Sequence, residues 1–147
     1  MLKKRKSQYP ISNVQYPLSK DGQSPLVKEG IYDWEDRLIE YAVRIIRPSE
    51  ALPSTKAGPH VAGQILRSGT SPAPNYGEAQ TAESAADFIH KLKIALKELR
   101  ESGIWLRIIA KAHMVKSASL LTPLLHETDE LIAIAFTSIQ TAKQRKS

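Results

Sequence analysis

The chain has 147 residues, 41% of them apolar, and a mean hydropathy of -0.31, a balance that suits one domain with a single packed core. It contains no cysteine, which excludes disulfides, thiolate nucleophiles and thiolate zinc sites, and no apolar run approaches the roughly 18 to 20 residues of a membrane span. The net charge of +6 sits at the ends, in Lys3, Lys4, Arg5 and Lys6 and in Lys143, Arg145 and Lys146, so the body between them is close to neutral.

Residues 1–30 read as a basic, flexible arm, because Pro10, Pro17 and Pro25 break any helix and small polar residues fill the gaps. No apolar segment follows the basic start, so secretion is not expected, and the lack of cysteine fits a cytoplasm of bacterial type. Basic ends of this kind either contact phosphates or simply keep a chain in solution.

A bundle region is expected over 31–142. Its first helix spans about 33–47, with Asp33 as an N-cap type and Trp34, Leu38, Tyr41, Ala42 and Ile45 on one face, and Pro48 is expected to stop it. The second, about 54–79, carries Val61, Ile65 and Leu66 inward. Pro72 and Pro74 each remove an amide donor and clash with the carbonyl four residues back, which predicts a kink or break near 68–75.

The third helix, about 82–112, has no internal proline and the clearest seam: Ile89, Leu92, Leu96, Leu99, Leu106 and Ala110, with Gly103 in the missing place. The fourth, about 117–142, turns Leu121, Leu124, Leu125, Leu131, Ile132, Ala135 and Ile139 inward, and admits Pro123 only in its first turn. Residues 143–147 read as a basic tail. Four helical patterns with mostly short connections predict an all-α, up-and-down antiparallel four-helix bundle, and no alternating apolar run suggests a strand.

Two features of the third helix lie outside its seam. Ile94, Ile104, Trp105 and Ile108 are surplus to a bundle core, so they form either a widened core face or an oligomer interface with Trp105 near its centre. A second stripe of His90, Lys93, Lys97, Arg100, Arg107 and Lys111 recurs at helical steps, and between Asp87 and Lys116 basic residues outnumber acidic ones seven to three. Such a ridge can track a phosphate backbone, form ion pairs between subunits, or stay solvated, with Lys97 and Glu101 spaced as an i, i+4 pair.

Catalytic patterns are missing. There is no Glu-x-x-His, no HExxH, no GxSxG and no phosphate-cradling glycine loop, so neither a metal nor another cofactor is expected and the chain does not read as an enzyme. The i, i+3 pairs Asp87 with His90 and His126 with Asp129 read as surface or capping residues, and His60 as a surface residue.

Residues 64–109, QILRSGTSPAPNYGEAQTAESAADFIHKLKIALKELRESGIWLRII, go beyond periodicity. Their phrases RSGTS, PNYGEA, AESAADFIHKLKIALKE and WL resemble, in order, the four-helix-bundle family of proteins encoded in intervening sequences of 23S rRNA genes. The resemblance implies a bundle that assembles as a ring-like homo-oligomer, typically a pentamer, without established enzymatic activity. A related branch, the accessory variability proteins of diversity-generating retroelements, implies basic pentamers that bind nucleic acid and a reverse transcriptase.

By residue match Arg67, Asn75, Glu78, Glu83, Lys97, Glu98 and Trp105 occupy the family's recurrent polar and aromatic positions, with no chemistry assigned beyond an expectation that Asn75 and Glu78 cap or brace the kinked second helix. Pro72, Ala73, Pro74 and Gly77 depart from the pattern. The resulting expectation is a non-enzymatic homo-oligomer whose partners are RNA or DNA and a reverse transcriptase, or else a protein-binding scaffold.

Overall fold

The computed structural model describes residues 34–146, with nothing taken from the side chain of Lys146. The arm, Asp33, and Lys3, Lys4, Arg5 and Lys6 lie outside the described residues. Five α-helices follow one another: α1 (Trp34–Glu50), α2 (Ala57–Thr70), α3 (Pro72–Gln80), α4 (Ala85–Lys111) and α5 (Thr122–Lys146), with a 3-10 turn at Ala118–Leu120. Because α2 and α3 are separated by a single residue, they form one bent rod, and the molecule is a four-rod bundle. Each rod packs chiefly on its neighbours in sequence, most extensively α4 on α5 and on α3, while α1 and α5 touch sparingly. Among the described residues there is no strand.

The helices begin and end where their sequences offer or remove backbone partners. In α1, Pro48 does not stop the helix as expected. It falls in the last turn, where only the Arg44 carbonyl loses its usual donor, and the Ala51 amide still closes onto Arg47 O at 3.2 Å. Before α2, the Pro53 carbonyl lies against Gly58, where an added Cβ would sit 1.6 Å from it.

The two prolines bend the second rod without opening it. Ser71 keeps helical dihedrals (φ -72°, ψ -34°), although Pro72 and Pro74 cannot donate to the Ser68 and Thr70 carbonyls. Asn75 reinforces the joint: its Nδ2 donates to both Ser71 O and Ser71 Oγ at 2.9 Å.

Ser84 caps α4, its Oγ accepting from the Asp87 amide at 3.1 Å, so the helix starts at Ala85 and not near 82. Its end turns through His113 at φ 54°, and the Met114 amide donates to Ile109 O at 3.1 Å, a left-handed C-terminal closure more often made by glycine. In α5, Pro123 stands second, where a missing amide costs nothing, and residues 118–120 form the separate turn before it.

The core is the union of the inward stripes. Trp34, Leu38, Tyr41 and Ile45 meet Ile65, Tyr76, Leu92, Leu99, Leu106, Leu131 and Ile134. Trp34 and Tyr76 pack edge to face, ring centroids 4.7 Å apart. Ala42, Ala110, Leu125 and Ile132 are only half-buried at the margins of their expected stripes. Leu66, expected inward, is 40% exposed, because it lies about 100° round the helix from Ile65.

Hydroxyls cross this apolar interior at mid-height. Thr128 Oγ1 donates to Leu124 O at 2.8 Å, which leaves it to accept from the Tyr41 hydroxyl at 2.7 Å. Burial pushes the Tyr41 phenol up to about 12, so it remains a donor at any ordinary pH. Between α2 and α4, Ser102 Oγ and Ser68 Oγ lie 3.0 Å apart, both fully buried.

Candidate nucleic-acid interface

The outward face of α4 carries Lys93, Lys97, Arg100, Arg107 and Lys111, all exposed, together with His90. None of these lysines and arginines forms an ion pair among the described residues. Two acidic residues of the same helix, Glu98 and Glu101, are engaged elsewhere. Arg67 of α2 donates to Glu98 at 3.0 Å and to Glu101 at 2.5 Å, and Trp105 Nε1 donates to Glu101 at 3.3 Å. The i, i+4 pair of Lys97 with Glu101 therefore does not form. Glu101 faces α2, and the ridge keeps its positive charge.

Beside the ridge, α4 and α5 enclose a groove of about 380 Å³. From α4 it takes Lys93, Leu96, Lys97 and Arg100; from α5 it takes Phe136, Ile139, Gln140 and Lys143. Leu96 and Ile139 are buried and form its floor, while the Phe136 ring, 48% exposed, stands open at its wall. Among the described residues no carboxylate lines it. Lys143, read from sequence as part of a tail, stands on α5, which carries it into the groove; Arg145 is exposed on the same helix.

Phe136 and Gln140 are the groove residues that sequence reasoning missed. Phe136, Gln140 and Lys143 follow steps of four and three on one face of α5, the same signal that revealed the α4 ridge.

The four surplus apolar residues of α4 divide by exposure. Ile104 (55%) and Ile108 (39%) face solvent and, with Arg107, Lys111 and Ala112, border a shallow depression of about 500 Å³. Ile94 is half-buried, as is Trp105, which packs on the core with its ring T-shaped against His60, centroids 6.1 Å apart. Among the described residues no group of three or more His, Asp or Glu is placed to hold a metal, and no helix is long and apolar enough to cross a membrane.

Arg67, Asn75, Glu78 and Glu98, among the recurrent polar positions, fasten the bent rod. Arg67 ties α2 to α4, Asn75 braces the Ser71 joint, and Glu78 accepts from Lys91 Nζ at 2.6 Å, tying α3 to α4. Ser68 and Gly69 complete the Arg-Ser-Gly phrase, the serine meeting Ser102 and the glycine lying against Ile45. Lys97 is different, since it points into the groove.

A family model described as 23S rRNA-intervening sequence protein matches residues 34–136, from the start of α1 to Phe136 in α5. The chain belongs to the 23S rRNA-intervening sequence protein family. A crystal structure at 1.70 Å resolution of a protein with unknown function from the S23 ribosomal protein family of Bacteroides thetaiotaomicron VPI-5482 is similar, with 34% identity and a TM-score of 0.66. The match covers 71% of this chain and 96% of that one, so the shared part is the family bundle. No match is found among curated proteins. Membership fixes the four-rod architecture and gives no catalytic role to any residue. The basic groove therefore has to be read from its own chemistry.

Proposed function

We propose that this protein is a non-enzymatic, homo-oligomeric accessory factor that binds nucleic acid along the α4 ridge and in the α4/α5 groove. The observation that carries the reading is the set of cations at Lys93, Lys97, Arg100 and Lys143, gathered at one groove without, among the described residues, an ion-pair partner or a lining carboxylate. A surface of uncompensated cations holds a polyanion by releasing its condensed counterions, so affinity falls steeply as salt rises. The basic residues at both ends of the sequence, Lys3, Lys4, Arg5, Lys6, Arg145 and Lys146, add further positive charge to the chain, as do Arg107 and Lys111. An accessory place beside a nucleic-acid enzyme such as a reverse transcriptase suits a chain with grip and no catalytic pattern.

The test is binding of RNA and DNA across a salt series by the intact chain, by a Lys97→Glu/Arg100→Glu variant, and by a chain lacking residues 1–6. The double variant is expected to lose at least about tenfold in affinity and to show a shallower salt slope. Binding unchanged by the double variant and abolished by the truncation would move the contact to the arm. No binding at low salt would end the nucleic-acid reading.

Exposed Ile104 and Ile108 support the assembly part of the proposal, because a pair of large apolar side chains one turn apart suits a subunit contact at a basic rim. Ile104→Asp/Ile108→Asp is expected to lower the mass seen by light scattering while leaving helicity unchanged. If that variant kept its mass and nucleic acid failed to bind, the same apolar pair would favour a protein-binding scaffold.

A further inference from the structure

We infer that the α4/α5 groove selects single-stranded over double-stranded nucleic acid, by stacking an unpaired base on Phe136. The inference rests on the nucleic-acid reading above and adds to it which form of nucleic acid the groove takes.

The groove combines two chemistries that a duplex cannot satisfy together. Its rim is cationic, from Lys93, Lys97 and Arg100 at i, i+4 and i+7 on α4 and from Lys143 on the facing helix. Its floor is apolar, from Leu96 and Ile139, and its wall is the half-exposed ring of Phe136. A phosphate gains nothing from the floor or the ring. A duplex presents mainly phosphates to a rim of this kind, because its base faces are stacked on one another inside the helix. An unpaired base has a free π-face, and its stacking on an aromatic side chain tolerates any sequence.

The dimensions agree. Lys93 to Arg100 covers about 10 Å of helix axis, a short stretch of strand rather than the flank of a duplex. Gln140, half-buried on the same face of α5 as Phe136, offers both an amide donor and a carbonyl acceptor to a base edge. An acidic peptide or an anionic lipid surface would satisfy the rim, but neither needs a single ring with an amide one helical turn beyond it.

The experiment is fluorescence anisotropy with labelled 20-mers, oligo-dT and oligo-rU against a mixed-sequence duplex of equal length, at several salt concentrations. The full chain is compared with Phe136→Ala, Phe136→Leu and Phe136→Trp. Because Phe136 is half-exposed, each variant is expected to keep the helicity of the parent by circular dichroism. The parent should prefer single strands by about tenfold. Alanine and leucine should both remove most of that preference, leucine despite its apolar volume, while tryptophan retains it. Duplex affinity should change less than about twofold in all three.

If the three variants bind both forms as the parent does, while Lys97→Glu/Arg100→Glu still weakens binding, the stacking inference is wrong and the broader reading stands. Retention by leucine would also overturn it, since apolar volume and not a π-face would then account for the preference. Absence of binding to either form at low salt would remove both.

Discussion

Arg37→Met is expected to destabilise the bundle by about 2–4 kcal/mol, read as a lower urea midpoint with an unchanged slope. Arg37 is 8% exposed on α1, yet it is the main tie to α5. Its Nε donates to Glu127 Oε1 at 2.5 Å, and Nη2 donates to Glu127 Oε2 at 3.0 Å and to Glu130. Burial pulls the guanidinium pKa down, but the two carboxylates more than offset this and hold it above its ordinary value.

Remove the cation and two carboxylates one turn apart remain at a site built around a positive charge. Glu130 is half-exposed and can turn to water, which keeps the expected loss below the upper limit for buried pairs. The loss also matters more here than elsewhere, because α1 and α5 share few other contacts. Adding Glu127→Gln and Glu130→Gln to the variant should restore about half of the loss. A single variant as stable as the parent would show that the first and last rods are held by the Tyr41–Thr128 bond and apolar packing alone.

Gly69→Ala should cost a net of about 0.5–2 kcal/mol in the same measurement, an overpacking term of about 1–3 kcal/mol reduced by about 0.5–1 kcal/mol for the better helix propensity of alanine. A Cβ at Gly69 would lie 2.6 and 2.7 Å from the two branches of Ile45, which is fully buried and cannot swing aside. The clash at Gly58 is closer still and meets the Pro53 backbone, so a side chain there would force the preceding loop itself to shift. Combining Gly69→Ala with Ile45→Ala should cost less than the sum of the two single changes, because the second removes the atoms the first collides with. Gly63 provides the control. Nothing lies within 4 Å of its added Cβ, so Gly63→Ala should stabilise the chain by about 0.5–1 kcal/mol. Strict additivity of the Gly69 and Ile45 changes would mean that α1 and α2 are not in close contact at that point.

The rods were legible because burial along them follows steps of three and four with few exceptions, as in Trp34, Leu38, Tyr41 and Ile45. The bend was legible for a different reason: two prolines two residues apart remove donors whatever surrounds them. Asn75 was legible as a brace for that bend, but its partner was not, since a side-chain amide carries no periodicity and its pairing with Ser71 is defined only once the rod is formed.

The groove was half legible. Its α4 side showed as a charge stripe on one helix, whereas the α5 side needed the knowledge that Phe136 and Lys143 face Lys93 and Arg100 across an interface. Glu101 shows the same limit from the other direction. Spacing pairs it with Lys97, but the bundle offers it Arg67 at 2.5 Å, and a partner from another helix leaves the ridge more positive than sequence suggests.

The hydroxyls at mid-height bear on alignment more than on stability. A slip of α4 against α2 by one turn, about 5.4 Å, could keep leucine against leucine over most of its length. It would also separate Ser102 from Ser68, leaving each hydroxyl only a carbonyl of its own helix, and a slip of α5 would take the buried Tyr41 hydroxyl away from Thr128. Such polar pairs act as a vernier between rods that grease alone would let slide. The spacing between Arg100 on one rod and Phe136 on the next is thus set partly by side chains that touch neither.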